Sequence, residues 1–220
     1  VRFQDAAADA RAVVYAGVQA DPLVARLAAL LADATPGQCV LARAVMNGQR
    51  TDPAIWRAMV PTCFPDERSE AILAASLQVA ERGEQVRSQF RGAIVEALTQ
   101  ALLERRTART RPGAVRRERR ILFDGVRAEI HPYDVTVELP GAAEAYDCKW
   151  GARGIGPDVL YQLDDARTHA ADEEEPLVVA LVVFDSALAA EVRLARQTAP
   201  HELTALVTIE TLRSLGERRP

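Results

Sequence analysis

The sequence predicts an α/β protein with a wholly helical N-terminal part. Three observations support this. From about residue 121 strand-like and helix-like segments alternate, the pattern of a sheet with helices packed on it. Leu177 to Phe184 is a nearly continuous apolar run, as expected of a strand buried on both faces. Before residue 84, by contrast, apolar residues recur at helical spacing. We therefore expect a helical domain over 1–84 and an α/β domain over 85–220, with Gly83 as the break.

Element by element, Gln4 to Gln19 is Ala-rich with a helical period. Asp21-Pro22 opens a second helix through Leu23, Leu27, Leu30 and Leu31. Asp52-Pro53 gives an N-cap and a proline at the first helical position, and Asp66 starts a helix carrying Ile72, Leu73, Leu77 and Val79. From about residue 88, Phe90, Ile94, Val95, Leu98, Leu102 and Leu103 repeat at three and four, marking an amphipathic helix. An arginine-rich loop around Pro112-Gly113 follows. Ile121 to Phe123 and Val126 to Ile130 read as strand, broken or bulged at Gly125.

Asp134 to Leu139 alternates polar and apolar residues, Pro140-Gly141 turns the chain, and Ala145 to Trp150 is the return strand. Gly151 to Gly156 is a loop, Pro157 to about Ala171 a helix, and Ala187 to about Arg196 another. Thr204 to Ile209 is a last strand before a helical tail.

Bulk properties exclude several classes. The apolar fraction is 49 % and the charged fraction 26 %, ordinary for a soluble globular protein, and no apolar run suits a membrane span. We therefore expect a cytoplasmic protein that does not associate with membranes. The three cysteines are too few for a disulfide framework or a four-thiolate cluster, and the three histidines show no zinc-ligand spacing. The net charge of −4 hides a segment from Glu104 to Arg120 with eight arginines against two glutamates. Such a basic concentration is a footprint of polyanion binding, or else a solvated connector.

Lys149 is the only lysine among the 27 cationic residues. In a chain that otherwise uses arginine throughout, a surviving lysine points to chemistry that a guanidinium cannot supply, because an ammonium is compact and its pKa can be moved. Asp147 lies two residues earlier, on the same strand face. A surface ion pair is the plain reading of these two alone. For Asp134 to join them across a hairpin, paired residue numbers must sum to an odd value. A four-residue loop over Pro140 to Ala143 sets Asp134 opposite Lys149 and Thr136 opposite Asp147. Val135, Val137, Leu139, Tyr146, Cys148 and Trp150 then form the apolar face, whereas a slip by one would bury the charges. Two carboxylates and a lysine on one sheet surface suit a hard divalent cation that keeps water and a substrate phosphate in its other positions.

His131-Pro132-Tyr133-Asp134, twelve intervening residues, then Asp147-Cys148-Lys149 resembles the PD-(D/E)xK nuclease superfamily, most of all its restriction-enzyme and Mrr-type branches. Gly92 to Glu96 matches the acidic helix ahead of the first core strand. Gln162 matches a glutamine beside the active site, and Leu177 to Phe184 falls where the next core strand belongs. Tyr133 stands where the motif name has proline. The RecB-like glutamine-x-x-x-tyrosine pattern ends in Ala166 instead. The resemblance covers roughly residues 88 to 185.

It implies a restriction-endonuclease-like α/β/α core with a mixed sheet, and metal-dependent hydrolysis of nucleic acid, DNA ahead of RNA. Asp134, Asp147, Glu96 and the Cys148 carbonyl would bind Mg²⁺ or Mn²⁺. Lys149 would position the nucleophile, and Gln162 would orient substrate or water. Glu138 would replace one acid in a different register. Arg105, Arg106, Arg109, Arg111, Arg116, Arg117 and Arg153 would contact the phosphate backbone. The helical part is left to dimerisation, DNA contact or docking on another subunit. By analogy the setting is bacterial defence against foreign DNA, with repair second. Two alternatives stand beside this reading: a non-catalytic interaction subunit on the same fold, and an unrelated α/β enzyme that forms an imine through Lys149.

Overall fold

In a computed structural model the described residues are 1–6, 10–48, 52–108, 110–123, 126–127, 131–139, 141–197 and 205–217. The chain clusters into two compact units, one of Val1–Ala8 with Leu102–Pro220 and the other of Asp9–Ala101. The expected boundary near residue 84 is thus corrected. The division falls inside one long helix, and the first residues belong with the C-terminal unit.

The 9–101 unit is helical. It contains α1 (Ala10–Gln19), α2 (Pro22–Ala32), α3 (Pro36–Asn47), α4 (Pro53–Cys63), α5 (Glu67–Ala80) and the first part of α6 (Glu84–Thr107). Caps fix the starts. Asp21 accepts from the Leu23 amide at 2.8 Å with Pro22 at the first helical position, and Asp66 accepts from the Ser69 amide at 2.9 Å. Helix α3, which the sequence reading passed over, carries a full capping box between Thr35 and Gln38. Gln38 also donates to Asp66 and Ser69, tying the starts of α3 and α5 together. Leu41, Val45, Val60, Leu73 and Leu77 form a buried cluster there, with Trp56 and Phe64 against it. No single helix among the described residues is long and apolar enough to cross a membrane. A bent pair over α1 and α2 passes by length and composition alone.

The other unit is built on a mixed sheet. Its strands are β1 (Arg2–Asp5), β2 (Val115–Phe123), β3 (Val126–Arg127), β4 (Tyr133–Leu139), β5 (Ala142–Lys149), β6 (Leu177–Val183) and β7 (Ala205–Val207). The order is β1-β2-β4-β5-β6-β7, with β3 paired to β2. Pairing is antiparallel from β1 to β5 and parallel from β5 to β7.

One sheet face, with Ala145, Val179, Leu181 and Val183, packs on Leu160, Leu163 and Ala166 of α7 (Pro157–Asp172) and Ala190 of α8 (Ala187–Leu194). On the opposite face, Tyr146 and Glu144 meet Arg106 in the last turns of α6. The α/β class with a helical N-terminal region is therefore observed.

Three local expectations change. Arg2 to Asp5 is an edge strand, so Gln4 and Asp5 are not the start of a helix, because this segment pairs with Arg119 to Leu122 far along the chain. The loop around Pro112-Gly113 is observed, but from Val115 the arginine-rich stretch is strand β2 rather than loop. The tail from Leu212 to Gly216 is a 3-10 turn. Gly125, Ile130 and Pro140 lie outside the described residues.

Candidate active site

The hairpin of β4 and β5 sets the site. Its register pairs Val135 with Tyr146, Thr136 with Ala145 and Leu139 with Ala142. Paired numbers sum to an odd value, so Thr136, Ala145, Asp147 and Lys149 share a face, as the charge pattern demanded. The register itself differs from the expected one by two residues, and Thr136 faces Ala145 instead of Asp147. The cause is turn length. The ladder runs on to Leu139↔Ala142, and Gly141 takes the left-handed φ of +70° open to glycine.

Pairing between β4 and β5 ends at Val135↔Tyr146, and Asp134 leaves the ladder. Its Oδ2 accepts the Cys148 amide at 2.6 Å, replacing the missing backbone partner. The strands are irregular at this level. Tyr133 packs in the same cluster as Ala145, the partner of Thr136, although positions three apart on a regular strand face opposite ways. On β2 the same reversal falls at Glu118, a non-glycine residue with φ of +51°. Strained backbone of this kind concentrates at functional sites.

Lys149 and Asp147 form an ion pair. Their side chains are 25 % and 10 % exposed, so screening by water is weak. Burial pulls the Lys149 ammonium towards the neutral form, but the Asp147 and Asp134 carboxylates outweigh it. The net effect lifts the lysine above its ordinary value. Lys149 and Asp147 are thus in direct contact, and Asp134, bonded to the Cys148 amide between them in sequence, is near enough to act on the lysine through its charge. The Cys148 side chain is buried on the opposite face, with Tyr146.

No family model and no curated protein matches the chain. Among solved structures it is similar to protein VC1899 from Vibrio cholerae, with 16 % identity and a TM-score of 0.49 over 89 % of this chain. The match takes in 55 % of that protein, so the chain spans little more than half its length.

The remaining candidates are placed differently. Glu96 belongs to the helical unit. Its two oxygens accept from Tyr15 Oη at 2.5 Å and Gln19 Nε2 at 2.8 Å. Gln162 is buried, and both ends of its amide are used on the backbone of one residue. Oε1 accepts the His131 amide at 3.0 Å, and Nε2 donates to the His131 carbonyl at 3.1 Å. It therefore anchors the segment leading into Asp134 instead of facing substrate or water. Glu138 receives the Arg119 guanidinium at 2.6 Å and is spent there.

Among the arginines, Arg106 is a correction. Its guanidinium lies 2.5 Å from Glu144, with both side chains nearly buried and Tyr146 Oη also donating to Glu144. It is not available to phosphate. Arg105, Arg111, Arg116 and Arg153 are exposed, Arg117 is half-buried, and Arg109 lies outside the described residues.

Two carboxylates beside one ammonium form an all-oxygen set, suited to Mg²⁺ or Mn²⁺ and unsuited to softer ions. Mg²⁺ needs only one or two protein carboxylates, so Asp134 and Asp147 fit it. Among the described residues no group of three or more His, Cys, Asp or Glu side chains forms a ligand cluster.

Sequence reasoning missed two bracing residues. Gly154 lies against the Lys149 stem, and Asp185 accepts the Ala152 amide at 3.1 Å, tying down the loop after β5. The glycine density of that loop was a visible signal. Nothing in the sequence marked Asp185.

Proposed function

We propose that this chain is a metal-dependent nuclease that hydrolyses phosphodiester bonds of nucleic acid, DNA ahead of RNA. The observation that carries the reading is the meeting of Asp134, Asp147 and Lys149 where β4 and β5 part. Asp134 and Asp147 would hold Mg²⁺ or Mn²⁺, which when bound polarises a phosphoryl oxygen and makes water a better nucleophile. The chain's own part is largely electrostatic. Lys149, ion-paired to Asp147, presents a positive charge to the negative charge that develops on the phosphoryl group. That state makes it a poor general base and disfavours the imine reading, which needs a neutral amine. Gln162 fixes His131 and so the approach to Asp134. Arg105, Arg111, Arg116 and Arg153 are exposed cations suited to the phosphate backbone, giving salt-dependent affinity with little sequence information. A cytoplasmic role in defence against foreign DNA belongs to the same proposal and rests on the motif resemblance.

The test is incubation with supercoiled, linear and single-stranded DNA and with RNA, each with Mg²⁺, Mn²⁺ or a chelator. Cleavage that needs the metal and stops with chelator is expected. Cleavage indifferent to chelator overturns the reading, as does none of any substrate. The second reading, a non-catalytic module on this fold, is favoured by Glu96 being taken up by Tyr15 and Gln19. Its signature is salt-dependent binding without cleavage.

A further inference from the structure

The loop between β5 and α7 carries three glycines, and they are not equivalent. A Cβ built on Gly154 would lie 3.2 Å from both Cβ and Cδ of Lys149 and 3.3 Å from its Cγ. A Cβ on Gly156 would meet nothing within 4 Å. Among the described residues the left-handed glycines are Gly113 and Gly141, so backbone conformation does not call for a glycine at 154. What crowds a side chain there is the lysine stem.

The loop has little room to retreat. The Gly154 amide donates to the Gly151 carbonyl at 2.9 Å, and Ile155 to Ala152 at 3.1 Å. The Ala152 amide is held by Asp185 Oδ2 at 3.1 Å, and Arg193 Nε holds the Ile155 carbonyl at 2.9 Å. Lys149 is fixed from its other side too, since its carbonyl accepts the Phe184 amide at 2.8 Å. A four-carbon stem has several rotatable bonds, and an ammonium on a free stem would sample many positions.

We propose that Gly154 is a positioning residue whose bare Cα lets the braced loop lie against the Lys149 stem and hold the ammonium on Asp147. This rests on the nuclease reading for its consequence in catalysis, though the contact itself does not depend on it. Gly154→Ala forces the stem or the loop to shift by a few tenths of an ångström. An ammonium displaced on that scale costs turnover rather than affinity, because misplacement near the chemistry is felt in the transition state.

Because Lys149 is the only lysine, lysine-selective ¹³C,¹⁵N labelling of the full chain gives one set of side-chain signals. In the wild type, cross-relaxation between Gly154 Hα and the Lys149 stem protons is expected, with two resolved Hε resonances from an immobilised stem. Gly154→Ala should move the chemical shifts of that pair as the stem is displaced, and Gly156→Ala should leave them unchanged. Kinetically, Gly154→Ala should lower kcat by roughly tenfold or more with KM within twofold. Absence of the Gly154–Lys149 cross-relaxation in the wild type overturns the proposal without any variant. An unchanged Hε pair in Gly154→Ala, or a loss of turnover matched by Gly156→Ala, overturns it too. If the spectra behave as expected while the wild type cleaves nothing, the nuclease reading fails and the positioning role stands.

Discussion

Arg106 separates two uses of an arginine that sequence alone cannot distinguish. Its side chain is 8 % exposed and that of Glu144 is 11 %, and Glu144 also accepts from Tyr146. Arg106→Ala leaves a carboxylate almost without water and without its cation. Breaking such a buried pair from one side costs about 3–5 kcal/mol. At roughly 2–4 °C per kcal/mol for a chain of this size, Tm should fall by about 10 °C. Arg111→Ala and Arg116→Ala remove exposed cations, so their stability should change by no more than about 0.5 kcal/mol. Under the nuclease proposal each of these two also removes up to one phosphate contact. The slope of log affinity against log salt then becomes shallower by about 0.9. The assays are thermal melts read by circular dichroism, and duplex binding across a salt series. Replacing both partners by apolar residues, Arg106→Met with Glu144→Leu, should recover most of the lost stability. The reasoning is refuted if Arg106→Ala melts with the wild type yet flattens the salt slope.

Other outcomes follow from single groups. Glu174 closes α7 with φ of +53°, and the Glu175 amide reaches back to the Ala170 carbonyl, so Glu174→Gly should stabilise by about 1 kcal/mol in urea unfolding. Burial pushes the Cys39 thiol up to about 12 and Cys148 is buried, whereas Cys63 is exposed. A disulfide reagent should therefore titrate one thiol rapidly in the native chain and all three after denaturation. Because Lys149 is raised in the folded state, its contribution to stability is complete below the unfolded value of about 10.4 and is lost as pH rises through the folded value. The difference in unfolding free energy between the wild type and Lys149→Met should stay level from pH 6 to 9 and shrink above pH 10.5.

Much of the site was legible because side-chain direction on a strand has period two. The charge and apolar patterns over 135–139 and 145–150 set which residues share a face, although Asp134 itself leaves the ladder. The exact register was not legible, since it depends on whether the turn takes two residues or four. β1 was hidden because Arg2-Phe3-Gln4-Asp5 has no strand-like pattern of its own and exists through pairing with β2. The arginines of β2 read as loop because their charge hid the continuation of the Ile121–Phe123 strand back to Val115. Helix α3 was legible and passed over: Thr35-Pro36 repeats the signal used at Asp21-Pro22 and Asp52-Pro53. Nothing in the sequence marked Glu144, and only the fold sets it against Arg106. Gln162 was found for its place beside the site, but its work is on His131.

The most direct trial of the central claim is single-turnover cleavage by folded Lys149→Ala and Asp147→Asn, set against the wild type with Mn²⁺ present. Losses of at least 100-fold in both, with duplex affinity kept and melting curves cooperative, are the predicted result. Wild-type rates in either variant would contradict it.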